Sequence, residues 1–360
     1  MPSSNDTSAG ALEFDVGRKE FSNRLIPAAL QHFHEAERLG YDADRCAAYR
    51  WDCYMLLGQF EAAWRESDKI AGRGTPDPHQ YWDGLPFTGK RVIIRCLHGY
   101  GDAIQFIRYA PQIRNDAARV IVQSHPELVS LLRGMASVDA VISWGEDGLP
   151  GATPGHRQTE WDQQVEIMEL PRIFRTTEQT IPCPSPYLSA RTQACARSRE
   201  ALGCPGKPRI GILWQASNWN PARSIPIAEL APVLDLAGFA FYSFQRGAPE
   251  GELAALESRY RIHDTSRHSP EIADTAADLM NIDLLITVDS MAAHLAGALG
   301  RPVWVLLPFE ADWRWMLDRD DSPWYPTMKL FRQPAPGAWR PVVQRIVQEL
   351  SRPMFIGGGP

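Results

Sequence analysis

A chain of 360 residues, 44% hydrophobic and 22% charged, has the size and make-up of a globular protein with two domains and a small third. Its net charge of −6, with no basic run, argues against a nucleic-acid groove, and no apolar stretch approaches the ~20 residues that span a bilayer. Cys46, Cys53, Cys96, Cys183, Cys195 and Cys204 are scattered, without a CxxC pair or a His cluster, so they read as thiols of a reducing cytoplasm, the expected location. The polar start, Met1 to Asp6, lacks the charged-then-apolar order of a leader and is expected to be a disordered lead-in.

From about residue 14 to residue 70 the pattern is helical. In 26–39, Ala29, Leu30, Phe33 and Ala36 form an apolar stripe, and Gly40 closes it. A helix over 44–57 ends at Gly58, and another covers 60–70. Gly17, Ala29, Phe33 and Ala36, with Leu57-Gly58-Gln59-Phe60-Glu61-Ala62-Ala63, resemble one to two tetratricopeptide repeats. Because such repeats need about three stacked units to stand alone, these helices are expected to lean on the domain C-terminal to them.

Residues 72–89, with Pro76, Pro78 and Pro86, read as a linker. Strands over 91–96, 118–123 and 140–144 then alternate with helices over 102–113 and 127–135, and 145–155 is loop. The segment 183–208 reads as a crossing linker. Beyond it, strands over 210–214, 239–244, 284–288 and 303–307 alternate with helices over 226–236, 250–256, 271–280 and 291–299. Short connections between alternating strands and helices predict two doubly wound parallel sheets. A last helix covers 340–350, and 357–360 is a frayed tail.

Loops at the carboxyl ends of parallel strands are where such folds bind ligands. Gly99-Tyr100-Gly101-Asp102 comes directly after the first strand, and Asp102 starts a helix. Two readings stand for Asp102: a helix cap, or a general base that takes a proton from a hydroxyl. The glycine pattern lacks the third glycine of a dinucleotide fingerprint, which counts against NAD. In the second half, Ser217 and Asn218 come after a strand and Arg223 precedes a helix, suited to phosphate oxygens or simply solvated. Gln245 and Arg246 end the next strand and are candidates for base or ribose contact. Asp289, Ser290 and Met291 open a small-residue helix whose free N–H groups make an anion site, and His294 lies one turn in. No paired His or Cys ligands and no Asp-x-Asp motif point to a metal.

Three motifs in this order, Gly-x-Gly-Asp, Trp214-x-x-Ser217 with Arg223-Ser-Ile-Pro, and Val288-Asp-Ser-x-x-x-His294-Leu-Ala-Gly-Ala-Leu-Gly-x-Pro302, resemble the heptosyltransferase family of glycosyltransferases (family 9) over about 81–350. More narrowly, the chain resembles bacterial proteins in which tetratricopeptide repeats precede such a domain, with a tail like Leu307-Pro308-Phe309 and Asp312-Trp313-Arg314-Trp315. The resemblance implies a GT-B fold: two Rossmann-like domains facing across a cleft, behind a small all-α region. The expected boundaries are 1–80 for the helices, 81–190 for the acceptor-side domain, 191–339 for the donor domain and 340–360 for the last helix and tail. That helix is expected to cross back to the first domain, as in other GT-B proteins.

It also implies sugar transfer from a nucleotide-diphosphate sugar to an acceptor hydroxyl, without a cofactor or metal. Asp102 matches the proposed general base, Arg223 the basic residue on the donor phosphate, and Asp289 with Ser290 the turn around ribose and pyrophosphate; His294 matches a histidine of the same motif. Gly99, Tyr100, Gly101, Arg314 and Trp315 are the acceptor or loop positions. Trp313, Trp315 and Trp324 either stack on sugar or base or seal the tail. The tryptophan-rich tail departs from the lipopolysaccharide heptosyltransferases, so the ADP-heptose donor does not carry over. The acceptor is expected to be a saccharide, a lipid-linked saccharide or a protein, and the helices to offer a surface to a protein partner. A noncatalytic repeat scaffold and a nucleotide-sugar epimerase are the alternatives.

Overall fold

The structure, a computed structural model, describes residues 4–74, 81–144, 161–182, 185–203, 206–217, 220–247 and 251–352, with side chains from residue 9 onward. Asn218, Cys183, Cys204, the loop 145–155 and the tail 357–360 lie outside the described residues. The chain forms two compact units.

The first unit joins Met1–Gln80 to two remote segments, Pro171–Ile181 and Glu310–Arg319. Its helices are α1 (Ser4–Ser22), α2 (Ile26–Arg38), α3 (Ala43–Leu56) and α4 (Phe60–Gly72). Helix α1 begins where a disordered lead-in was expected. Gly40 and Gly58 take left-handed φ values of 83° and 71°, so each turn stops a helix as its glycine predicts. The Asp42 side chain accepts the Asp44 and Arg45 N–H groups and caps α3. Phe14, Ile26, Ala29, Phe33, Ala36, Cys46, Cys53 and Leu56 make the core, and Trp313 and Leu317 pack on it from the remote segment. A Cβ on Gly17 would come within 2.8 Å of the Phe33 ring, which accounts for the small residue beside the large one.

The second unit carries two parallel sheets. The first has the order β3-β2-β1-β4, from β1 (Arg91–Arg95), β2 (Arg119–Ser124), β3 (Ala140–Ser143) and β4 (Gln163–Glu166). The second has the order β10-β9-β8-β5-β6-β7. Its members are β5 (Arg209–Leu213), β6 (Ala240–Ser243), β7 (His263–Asp264), β8 (Leu284–Val288), β9 (Val303–Leu307) and β10 (Met328–Arg332). Strands β8 and β9 are buried at every position, as continuous apolar runs between two helix layers must be. The strands β4, β7 and β10 were not expected. The 102–113 helix is broken into α5 (Tyr100–Phe106), a 3₁₀ turn and α6 (Ala110–Asp116), with Pro111 opening the second piece. The expected linker 183–208 contains α9 (Thr192–Leu202).

Helix α12 (Ile272–Leu279) and helix α13 (Met291–Ala298) come after β7 and β8. The final helix, α14 (Trp339–Leu350), packs on β10, on α10 (Ala231–Leu234) and on the 3₁₀ turn Ile227–Leu230. It therefore lies on the lobe of the second sheet, where a crossing back to the first lobe was expected. Trp339, Val342, Val343, Ile346 and Leu350 form one buried stripe that this lobe covers. No helix among the described residues is long and apolar enough to cross a membrane.

Candidate functional site

In an open parallel sheet a crevice forms where the strand order reverses, outside the carboxyl ends of the strands. The first sheet reverses at β1, between β2 and β4; the second reverses at β5, between β6 and β8. These two points carry the motifs singled out in the sequence.

At the first point, β1 runs into the Cys96–Gly101 turn, and Gly99 precedes α5. The Asp102 carboxylate accepts the Gly99 N–H at 3.0 Å, so it caps its own helix from the first turn. It is half-buried, and the cap engages Oδ2. The cap and the base readings are thus compatible: the bond fixes the carboxylate at the start of α5. Around it, His125 Nε2 donates to the His98 carbonyl, and Tyr100 meets the His125 ring edge-on, centroids 4.6 Å apart. Across from β1, strand β4 ends at Glu166, which is 1% exposed. Burial first, then the neighbouring carboxylates of Glu169 and Asp102, pushes its carboxyl group up to about 8 against the pull of the Met168 and Leu97 N–H groups. Nothing in Gln-Gln-Val-Glu flagged this residue.

At the second point, the loop after β5 is pinned by Ile225 N–H to the Trp214 carbonyl at 2.9 Å and by Ala216 N–H to Ser224 Oγ at 3.1 Å. That places Arg223 with Nη2 donating to Ser217 Oγ at 3.1 Å and Nη1 at 3.9 Å from Asp289 Oδ2. Ser290 is the N-cap residue of α13, but its hydroxyl pairs with Thr287 Oγ1 at 3.1 Å and makes no cap hydrogen bond. Met291 opens the helix, half-buried.

His294 is buried, 6% exposed, with Nδ1 hydrogen-bonded to Tyr325 Oη at 3.0 Å. A Cβ on Gly101 would lie 2.9 Å from the His294 ring. Only a glycine lets the backbone of the first lobe's loop press on the helix of the second. The Gly-x-Gly-Asp and Asp-Ser-x-x-x-His motifs, about 190 residues apart, are therefore neighbours.

Other expected residues take different places. Gln245 Oε1 accepts the Gln215 N–H at 2.9 Å and its amide donates to the Gln215 and Arg246 carbonyls, so it knits β5 to β6. The Arg246 guanidinium donates to the carbonyls of Ser269, Pro270 and Glu271 and to Thr275 Oγ1. Both side chains are thus engaged in holding backbone, whereas base or ribose contact was expected of them. Arg314 and Trp315 belong to the first unit: Arg314 pairs with Asp312 at 2.9 Å, and Trp315 is fully buried. Trp313 meets Trp51 edge-on at 5.4 Å, and Trp324 is fully buried in the second unit, which is packing in each case.

Sequence reasoning missed Arg108. Its guanidinium donates to the Gln105 and Trp324 carbonyls at 2.7 and 2.6 Å and to Tyr187 Oη at 3.0 Å, and sits over the Tyr187 and Tyr325 rings. It fastens α5 to the 322–326 tail. Among the described residues, no three His, Cys, Asp or Glu side chains cluster as metal ligands.

No model of a known protein family matches the chain. It is 25% identical over 337 residues to Protein FlbA of Caulobacter vibrioides, a match that covers 82% of this chain and 53% of FlbA. The chain thus spans about half the length of that curated relative. Among solved structures, it resembles the glycosyl transferase family 9 protein from Veillonella parvula with a TM-score of 0.51 at 12% identity, covering 69% of this chain and 87% of that one. It resembles E. coli ADP-heptose lps heptosyltransferase II with a TM-score of 0.51 at 17% identity, covering 72% and 97%. Two parallel-stranded lobes with their switch points together, preceded by helices, have the GT-B fold seen in the family 9 heptosyltransferases.

Proposed function

We propose that the chain is a glycosyltransferase that moves a sugar from a nucleotide-diphosphate donor to an acceptor hydroxyl. The observation that carries this reading is the seat of Gly101 on His294, which puts the Asp102 loop beside the helix that Asp289 and Ser290 open. The diphosphate lies at Ser290 and the first N–H groups of α13, with Arg223 offsetting charge on the leaving phosphate. Ser217 borders it, and His294 shapes the floor. Asp102 accepts the acceptor proton as the new C–O bond forms and the bond to the diphosphate breaks with its electron pair. Arg223 and the helix dipole supply the positive charge, and no cofactor or metal is assigned to the step.

The acceptor, a saccharide, a lipid-linked saccharide or a protein, enters by Gly99, Tyr100 and Gly101. The α1–α4 helices, read as tetratricopeptide-like, offer the partner surface, and the site of action is the cytoplasm. The fold likeness to heptosyltransferases makes ADP-linked sugars one arm of the donor search.

A thermal-shift screen against ADP-, UDP-, GDP- and dTDP-linked sugars tests the reading. One donor class raises the melting temperature, and Arg223→Ala weakens that donor by roughly 10–100-fold, the loss of one charge-assisted contact. Silence across the whole panel overturns the transferase and leaves the scaffold. Altered sugar without acceptor product identifies an epimerase.

A further inference from the structure

His294 and Tyr325 meet at 3.0 Å, imidazole Nδ1 to phenol Oη, with His294 6% exposed and Tyr325 fully buried. Which atom donates follows from the hydrogens around the pair. The Tyr187 hydroxyl donates its one hydrogen to the Ile104 carbonyl at 2.9 Å, since a carbonyl only accepts. Arg108, which has donors and no acceptor, bonds the Tyr187 oxygen at 3.0 Å and the Tyr325 oxygen as well. Burial first, then Tyr187, raises the Tyr325 hydroxyl well above the usual phenol range, so it keeps its hydrogen. That hydrogen has two acceptors within reach, the Tyr187 oxygen and His294 Nδ1. The Tyr187 oxygen is a weak acceptor that Arg108 already bonds, whereas a buried imidazole lone pair is a strong one and costly to leave unpaired. The charge of Arg108 on the Tyr325 oxygen also strengthens its O–H as a donor. The hydrogen goes to Nδ1, and the imidazole carries its own on Nε2.

The Nε2 edge of the ring lies against the loop after β1. A Cβ on Gly101 would sit 3.4 Å from Nε2 and 2.9 Å from Cδ2, and the next residue is Asp102. We propose that Tyr325 is a positioning residue that holds His294 in its Nε2–H form, so that the imidazole presents a donor, and no lone pair, to the loop that bears Asp102. It rests on the reading of Asp102 as the base. Because Nε2 already carries a hydrogen, the acceptor proton goes to the Asp102 carboxylate, and His294 keeps its own while its N–H favours negative charge on that side. Without the Tyr325 hydroxyl, Nδ1 loses its donor and the hydrogen is shared between the two nitrogens. A lone pair at Nε2 then competes with Asp102 for the proton.

Long-range proton–nitrogen NMR spectra of the full chain read the hydrogen directly, the His294 signals being assigned by comparison with His294→Gln. The wild type shows Nε2 protonated and Nδ1 bare. Tyr325→Phe, which keeps the ring over Gly297, mixes the two forms. A wild-type hydrogen on Nδ1 or on both nitrogens, or a Y325F imidazole identical to that of the wild type, overturns the proposal.

In transfer, Y325F lowers kcat by about tenfold and leaves donor affinity within about twofold of wild type. H294Q keeps an N–H near the Nε2 position and has no second form, so adding Y325F to it lowers kcat by less than about twofold further. A Y325F loss of the same size in both backgrounds makes Tyr325 a packing residue alone and overturns the proposal. An Nε2–H imidazole with no transfer from any donor sugar overturns the Asp102 reading alone. If a variant does not fold, the wild-type spectrum decides: Nε2–H supports the proposal and Nδ1–H overturns it.

Discussion

Gly297 lies under the Tyr325 ring so closely that a Cβ would sit 2.4 Å from it, and Tyr325 in turn holds His294 and underlies Arg108. One hydrogen atom at Gly297 thus decides whether the tail packs on α13. Gly297→Ala is expected to destabilise the chain by about 1–3 kcal/mol, the cost of an added methyl in a filled core, read from urea unfolding. A change below about 0.5 kcal/mol would show that the ring moves aside freely. The glycine was visible in the sequence as part of a small-residue helix, but its reason was not: Tyr325 is 28 positions away, and no local pattern announces a ring that arrives from the tail. Arg108 escaped for the same reason, since its partners Tyr187 and Trp324 lie on distant segments. Asp102 and Arg223 were legible because strand-turn-helix grammar places them at strand ends whatever the distant chain does.

At the scale of elements, α3 and α4 are joined through Arg50, which is wholly buried and bonds Glu66 at 2.7 Å and Glu37 at 2.7 Å. Burial drives the Glu66 carboxyl upward, but Arg50 and Lys69 overcome it and hold it below the usual range. A depressed carboxyl group contributes stability above its unfolded pKa and loses it as pH falls through the folded value, so this pair weakens only in acid. Arg50→Ala leaves Glu66 buried without its counter-ion and is expected to cost about 3–5 kcal/mol by helix-monitored urea unfolding. The double variant with Glu66→Ala is expected to cost less than the sum of the singles, and additivity would contradict the coupling.

The helices themselves were legible from their apolar stripes and glycine stops. Strand β4 was not, because Gln-Gln-Val-Glu has neither an apolar run nor strict alternation, and β7, two residues long, leaves no periodicity to read. β4 nevertheless supplies the buried Glu166 beside β1, so that residue rides on an element the sequence did not reveal.

At the scale of the molecule, the first unit is built from three separate stretches of chain. Trp64 Nε1 donates to the Thr176 carbonyl at 2.7 Å, Arg172 and Arg175 pair with Asp68, and the Leu317 N–H bonds the Leu56 carbonyl at 3.0 Å. The helices α1–α4 were expected to lean on the domain that follows; the segments Pro171–Ile181 and Glu310–Arg319 instead belong to the helices' own unit. A fragment of residues 4–74 alone is expected to lack a cooperative thermal transition by circular dichroism, and a sharp melt like that of the full chain would contradict this.

The second unit rests on the meeting of two strand-order reversals, and its central claim is a division of labour: the diphosphate on one lobe, the proton acceptor on the other. Donor affinity and turnover measured side by side for the wild type and Asp102→Asn test it most directly. The account predicts donor binding within about twofold of wild type and transfer reduced by about 10²–10⁴-fold. Transfer at the wild-type rate in Asp102→Asn, or donor binding lost together with it, would contradict the account.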